Sequence, residues 1–126
     1  MVKILVDTNI ILYGASHKLD VLEKLKDLGE PVVLACVFRE LENLAKSNKS
    51  AKRNAKLALE ILKKRDIAPA EHSKHAMHES ADKMILLLAK EHGYAVATND
   101  AKLVKDLKKN MVKVIRLRQK RYFLMN

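Results

Sequence analysis

A chain of 126 residues, 48% of them hydrophobic, has the size and composition of one folded domain, residues 1–126, with a single core. Its one cysteine, Cys36, excludes an internal disulfide, no apolar run reaches about 18 residues, and the opening stretch lacks a signal peptide's charged region, which points to a cytoplasmic protein. With 25 Lys and Arg against 15 Asp and Glu the formal charge is +10, which suits a polyanionic partner, most simply nucleic acid; a surface kept basic for solubility is the competing reading.

Val2 to Val6 opens the chain with a β-branched run that stops at Asp7-Thr8-Asn9. An apolar run without alternation is the pattern of a central parallel strand covered on both faces. Asp7 then falls at the C-terminal end of that strand, where open α/β sheets bind their ligands. Thr8 or Asn9 is placed to cap a short helix, Ile10 to Tyr13, with Asp7 itself as the plainer candidate for the cap. Gly14-Ala15-Ser16 reads as a turn. Leu19, Val21, Leu22, Leu25 and Leu28 have helical spacing, and Gly29 and Pro31 end that helix. Pro31 to Ala35 is a second strand.

From Cys36 the period is helical again, through Val37, Leu41, Leu44 and Ala45. Glu40 comes three residues after Val37 and four before Leu44, so it shares the inward face. Glu42, about 200° further round the helix, points away. Lys46 to Arg53 (KSNKSAKR) is polar and basic, and a helix resumes through Ala55, Ala58, Leu59, Ile61 and Leu62. Lys46, Lys49, Lys52, Arg53, Lys56, Lys63, Lys64 and Arg65 make this region strongly cationic, as an RNA-facing hairpin would be; a solvated helix face accounts for part of it. Asp66 to Pro69 reads as a weak strand. Glu71 to Ser80 is loop-like and carries His72, His75 and His78 three residues apart. A transition-metal site on these histidines is rejected, because a polar, flexible connection offers neither a fixed scaffold nor a closed ligand set.

Ala81 to His92 is strongly helical, with Ile85, Leu86, Leu88 and Ala89 inward, and Asp82 is assigned to the same buried face. Asp82 also stands in the first helical turn, where the helix dipole favours an anion, while Lys83 points to water. Gly93 ends the helix and Tyr94 to Ala97 is a buried strand. Thr98-Asn99-Asp100 then repeats the arrangement at Asp7: strand end, hydroxyl, amide and carboxylate at a helix entrance. Leu103, Val104 and Leu107 carry the next helix to about Asn110, and Val112 to Leu117 is a last strand. Arg116, Arg118, Lys120 and Arg121, with Tyr122 and Phe123, form a basic, aromatic-bearing tail suited to RNA.

This order predicts an α/β protein: a three-layer α/β/α sandwich on a mainly parallel, roughly five-stranded sheet. Strand C-termini and the helix N-termini that follow share one edge of such a sheet, so Asp7, Glu40, Asp82 and Asp100 can converge. Like charges that close raise one another's pKa, and hard divalent cations such as Mg²⁺ or Mn²⁺ resolve the conflict. A carboxylate-held metal pair in a basic protein is what phosphodiester hydrolysis requires.

The stretches ILVDTNIILY, VFRELENLAK, ADKMILLLA and VATNDAKL, in this order and spanning nearly the whole chain, resemble the PIN-domain ribonucleases. The ending VIRLRQKRYF is most similar to archaeal-type members that resemble eukaryotic ribosomal-RNA processing nucleases. The resemblance implies that Asp7, Glu40, Asp82 and Asp100 are the acidic, metal-binding and catalytic set, with Thr8, Asn9, Thr98 and Asn99 in supporting polar positions. Such relatives often show two consecutive acids where this chain has Asp82-Lys83, which leaves Asp82 alone there. The expected activity is a metal-dependent endoribonuclease. Asp7, Asp82 and Asp100 would coordinate metal; Glu40 would ligate a second ion or orient the attacking water. Ribosomal-RNA maturation and the toxin of a toxin–antitoxin pair, which adds an antitoxin partner, are two settings for that chemistry. A non-catalytic RNA-binding module is the alternative from a different class, and a homo-oligomer is compatible with each.

Overall fold

Strand β1 (Lys3–Val6) lies inside the sheet because three successive apolar residues leave no polar face over most of its length: Ile4, Leu5 and Val6 are buried, while Lys3 is exposed and Val2, expected in the strand, stands exposed before it. The computed structural model describes residues 2–70, 80–118 and 122–125, with side chains described as far as residue 118. β1 is followed by α1 (Thr8–Ser16), α2 (Val21–Leu25), β2 (Glu30–Val32), α3 (Ala35–Ala45), α4 (Lys52–Lys64), α5 (Ala81–His92), β3 (Ala95–Ala97), α6 (Ala101–Lys109), β4 (Val114–Arg118) and β5 (Tyr122–Met125). The five strands form one sheet in the order β2-β1-β3-β4-β5, parallel except for the antiparallel pairing of β5 with β4. Helices α1, α3 and α4 pack together, and α5 packs with α6, which gives the expected α/β/α layering. No helix among the described residues is long and apolar enough to cross a membrane.

The topology fixes where a ligand can sit. From β1 the chain moves outward to β2, then returns through α3, α4 and α5 to lay β3 on the other side of β1. The strand order therefore reverses between β1 and β3. The crevice beyond the C-terminal ends of these two strands is the ligand position of open α/β sheets. Asp7 follows β1 and Thr98-Asn99-Asp100 follow β3 there.

Several local expectations change. Helix α1 runs through Gly14-Ala15-Ser16 where a turn was expected; Gly14 serves packing, since a Cβ on it would stand 2.9 Å from the Leu19 carbonyl oxygen. The helix expected over Leu19 to Leu28 shortens to α2, because the Asp20 side chain caps it by accepting from Glu23 N–H at 3.1 Å. Gly29 lets the chain enter β2 against β1, where a Cβ would lie 2.4 Å from the Val2 carbonyl oxygen. The weak strand at Asp66 to Pro69 does not form. Asp66, with φ +58°, closes α4 instead, Pro69 lacks an N–H for a ladder, and only Leu34 and Ala70 make one isolated parallel bridge. The fifth strand comes from the tail: 122–125 pair with β4, so that segment is partly sheet rather than a free basic tail. The other boundaries hold closely. α5 begins at the Ser80 cap, whose hydroxyl accepts from Lys83 N–H, and ends at Gly93 with φ +70°.

Candidate active site

Asp7 occupies the cap position of α1, yet its carboxylate makes no capping bond. It is 3% exposed, and its Oδ2 accepts a 2.7 Å hydrogen bond from the Thr98 hydroxyl. Neither Thr8 nor Asn9 is the cap; Thr8 is already the first helical residue, because Asp7 has the extended backbone that a cap position demands. Burial is the largest influence on the Asp7 carboxyl and lifts its pKa from 3.8 to about 6; the charges of Asp82, Glu40 and Asp100 add to the rise, and the Thr98 bond opposes it.

The other acids reach the crevice from different elements. Glu40 is exposed on α3 rather than on its inward face, which Cys36, Val37 and Leu41 take, and its carboxylate accepts a 3.2 Å bond from the Thr8 hydroxyl. Desolvation, then Asp82, raises its pKa against that bond. Glu42 is exposed on the far side of α3, as the helical period required. Asp100 caps α6 by accepting from Leu103 N–H at 2.9 Å, and its own N–H donates to the Thr98 hydroxyl at 3.1 Å. Thr98, fully buried, therefore holds Asp7 with its hydrogen and the Asp100 backbone with its lone pair. Asp82, in the first turn of α5, is exposed rather than on the buried face; Ala81, Met84, Ile85, Leu88 and Ala89 take that face, with the 100° step of the helix carrying Asp82 to its rim. Its carboxyl is still pushed up, first by local loss of hydration and then by Asp100, while Lys102 pulls it back.

Each acid thus acts on at least one of the others. As they are placed, no group of three or more His, Cys, Asp and Glu among the described residues is close enough to hold a metal ion. The donor set nonetheless fits a small hard cation. Mg²⁺ is ordinarily held by one or two carboxylates, with waters and substrate phosphates completing its shell.

The remaining positions sort clearly. Thr8 and Thr98 are buried against the acids, whereas Asn9 is exposed on the first turn of α1. Asn99 serves the sheet: its side-chain amide donates to the Leu117 carbonyl at 3.0 Å and accepts from the Leu117 N–H at 2.9 Å, continuing the β3–β4 ladder by one rung. Lys102, next to Asp82, was missed, although its place two residues after the Asp100 cap was a signal. Lys49, Lys52, Arg53 and Lys56 line an open depression of about 550 Å³ at the start of α4, and Lys46 is exposed at the end of α3. Arg65 is not available in the same way, being paired with Asp20 and, at 3.0 Å, with Glu23. Arg116 and Arg118 lie on β4; Lys120, Arg121, His72, His75 and His78 fall outside the described residues, as do the side chains of Tyr122 and Phe123. A groove of about 720 Å³, with Ile11, Leu19, Val21, Leu57 and Ile61 in its walls, lies between α1, α2 and α4, and no local pattern hints at it.

The family model described as "PIN like domain" matches residues 4–120. This chain belongs to the PIN-like domain family. It is 35% identical over 130 residues to a protein named ribonuclease VapC4 from Methanocaldococcus jannaschii, covering 98% of this chain and 95% of that one. It is 29% identical over 123 residues to ribonuclease VapC9 from Archaeoglobus fulgidus, covering 94% of this chain and 86% of the relative. Among solved structures the fold is similar to that of the PIN domain endonuclease Utp24, with TM-score 0.75, 23% identity, and 98% and 90% of the two chains covered. It is also similar to VapBC2 from Rickettsia felis bound to a DNA fragment from their promoter, with TM-score 0.64, 19% identity, and 91% and 98% covered. The PIN-domain resemblance of the four acidic stretches is thereby borne out.

Proposed function

We propose that this PIN-family protein is a metal-dependent endoribonuclease that hydrolyses RNA phosphodiester bonds at Asp7, Glu40, Asp82 and Asp100. The observation that carries this reading is Asp7: a carboxyl almost without water at the switch point of the sheet, pushed up toward neutral pH by burial and by the three other acids. A site that gathers four carboxylates, with Lys102 countering only part of the charge at Asp82, suits a cation as the missing member. Asp7, Asp82 and Asp100 would hold Mg²⁺ or Mn²⁺, which when bound supplies water activation and neutralises charge on the phosphate. Thr98 holds one Asp7 oxygen and the α6 backbone holds one Asp100 oxygen, so each carboxylate presents its other oxygen in a fixed direction. Glu40, anchored by Thr8, orients the attacking water or ligates a second ion. Lys46, Lys49, Lys52, Arg53, Arg116, Arg118, Lys120 and Arg121 would bind the RNA backbone, with Lys49, Lys52, Arg53 and Lys56 forming one cationic surface. A cytoplasmic setting fits the buried free thiol of Cys36.

Two cellular roles use this chemistry. The toxin of a toxin–antitoxin pair is favoured by the two curated relatives named VapC ribonucleases, and the apolar groove between α1, α2 and α4 would offer an antitoxin a surface away from the acids. Ribosomal-RNA maturation draws on the likeness to Utp24, which supports only the fold. The test is cleavage of structured and single-stranded RNA with Mg²⁺, Mn²⁺ or chelator, for the natural chain and Asp7→Asn. Cleavage that needs the cation and Asp7 supports the reading. RNA binding without cleavage under any divalent cation would leave a non-catalytic RNA-binding module in its place.

A further inference from the structure

The sheet register carries a third member of the Asp7–Thr98 row. Val6 pairs with Ala97 and Ala97 with Ile115, so the next positions, Asp7, Thr98 and Arg116, lie side by side on three adjacent parallel strands. Two backbone bonds continue the ladder through this level: Asp7 N–H to Ala97 at 3.0 Å and Thr98 N–H to Ile115 at 3.1 Å. Paired residues of parallel strands present their side chains to the same face, and neighbouring strands stand about 4.8 Å apart. Arg116 therefore emerges on the face of the acids, with Thr98 between it and Asp7. It is half-buried, and its Nε is closed to solvent without a hydrogen-bond partner among the described residues. Arg118, two residues on, is exposed on the same face.

We propose that Arg116 is a phosphate-binding residue of the active site, taking the two oxygens of an RNA phosphate next to the one attacked on its terminal Nη pair. Four carboxylates repel the polyanion they are to cut, so the substrate needs a cation near enough to hold it and far enough not to neutralise the acids. Arg116, one strand beyond Thr98, meets both conditions. Arg118 continues the track outward along β4. A guanidinium fork is suited to a phosphate's paired oxygens in a way that a lysine ammonium is not. The inference rests on the RNA-cleaving reading of the acids and adds which cation places the strand across them.

The experiment compares the natural chain with Arg116→Gln and Arg116→Lys. Binding of a short single-stranded RNA is measured in chelator over a range of salt, and cleavage kinetics are measured in Mg²⁺ or Mn²⁺. Arg116→Gln should make the log–log salt slope shallower by about 0.7, one phosphate contact. It should raise KM by about tenfold, with kcat held within about threefold, as for loss of one charge-assisted contact. Arg116→Lys should keep the salt slope yet leave KM raised, because it restores charge without the fork; it carries the test if the Gln variant does not fold. An unchanged slope and KM in Arg116→Gln, or full recovery of KM by Lys, would overturn the assignment. So would a binding loss that vanishes once the variant is assayed well below its melting temperature. A natural chain that binds RNA through Arg116 but never cleaves would sink the nuclease reading and leave the phosphate contact supported.

Discussion

Asp7 is where sequence position, burial and charge meet in one side chain. Its carboxyl titrates near 6 in the folded protein against 3.8 in the open chain, so the native state holds this proton more tightly. For a raised acid, the stabilising contribution is fully present below the unfolded value and lost as pH rises through the folded one. Between about pH 4 and 6 the metal-free protein should therefore lose stability, by an amount on the order of 3 kcal/mol from this residue, at about 1.4 kcal/mol per pKa unit. Asp7→Asn should flatten that slope and raise the metal-free melting temperature at neutral pH. Chemical melts of both proteins from pH 4 to 7, with and without Mg²⁺, give the check. Cation-induced stabilisation should shrink in the variant, since linkage scales with binding. Cleavage should fall by orders of magnitude, about tenfold for each 1.4 kcal/mol lost from the transition state. A variant that melts lower at every pH would show the carboxylate to be a stabilising group rather than a strained one.

At the scale of elements, helix starts carry both structure and proposed chemistry, and substitutions can separate the two. Asp100 caps α6 with one oxygen. Asn caps nearly as well, so Asp100→Asn should keep stability and lose cleavage, whereas Asp100→Ala should lose cleavage and also about 1 kcal/mol of stability. Equal melting of the two variants would mean that the cap does not matter. Asn99 gives the opposite pattern. Its two bonds to Leu117 join β3 to β4, so Asn99→Ala should destabilise by about 1–2 kcal/mol while cleavage, measured well below the melting point, stays within a few-fold. On α3, Glu40→Gln should impair cleavage and Glu42→Gln should not, because only Glu40 sits within reach of Thr8 and the acids.

The whole molecule is a basic surface of formal charge +10 around an acidic crevice. If the lysines and arginines at the start of α4 and on β4 together contact about five phosphates, affinity for single-stranded RNA should fall with a log–log salt slope of roughly −3.5, at about −0.7 per contact. Arg65 should contribute nothing to that slope, because Asp20 and Glu23 already occupy it, so Arg65→Gln is the matched control. A slope near zero would assign the positive charge to solubility.

How much of this was legible in the chain itself depends on the range of the interaction. Helical and strand periods are local properties, so α5 and α6, the buried run of β1 and the stop at Gly93 could be read in order, whereas the helix expected to run to Gly29 ends at Leu25, and Glu40, expected inward, is exposed like Glu42 and set apart from it by its bond to Thr8. The four acidic stretches marked the family for the same reason, each being a strand or helix end with its polar residues in fixed succession. What failed was set by contacts across the fold. Gly14 lies inside a helix because Leu19 and Val21 press on it, and Asn99 bonds to Leu117, eighteen residues away. The tail became β5 because β4 had a free edge, and Asp82 stood at the rim because Met84 and Ala81 took the buried face. Pattern alone determined most of the helices and inner strands and which acids end up at one sheet edge. Only the tertiary structure decided how deeply each acid is buried, which hydroxyl holds it and which arginine stands in its row, because desolvation and strand register arise when distant segments meet.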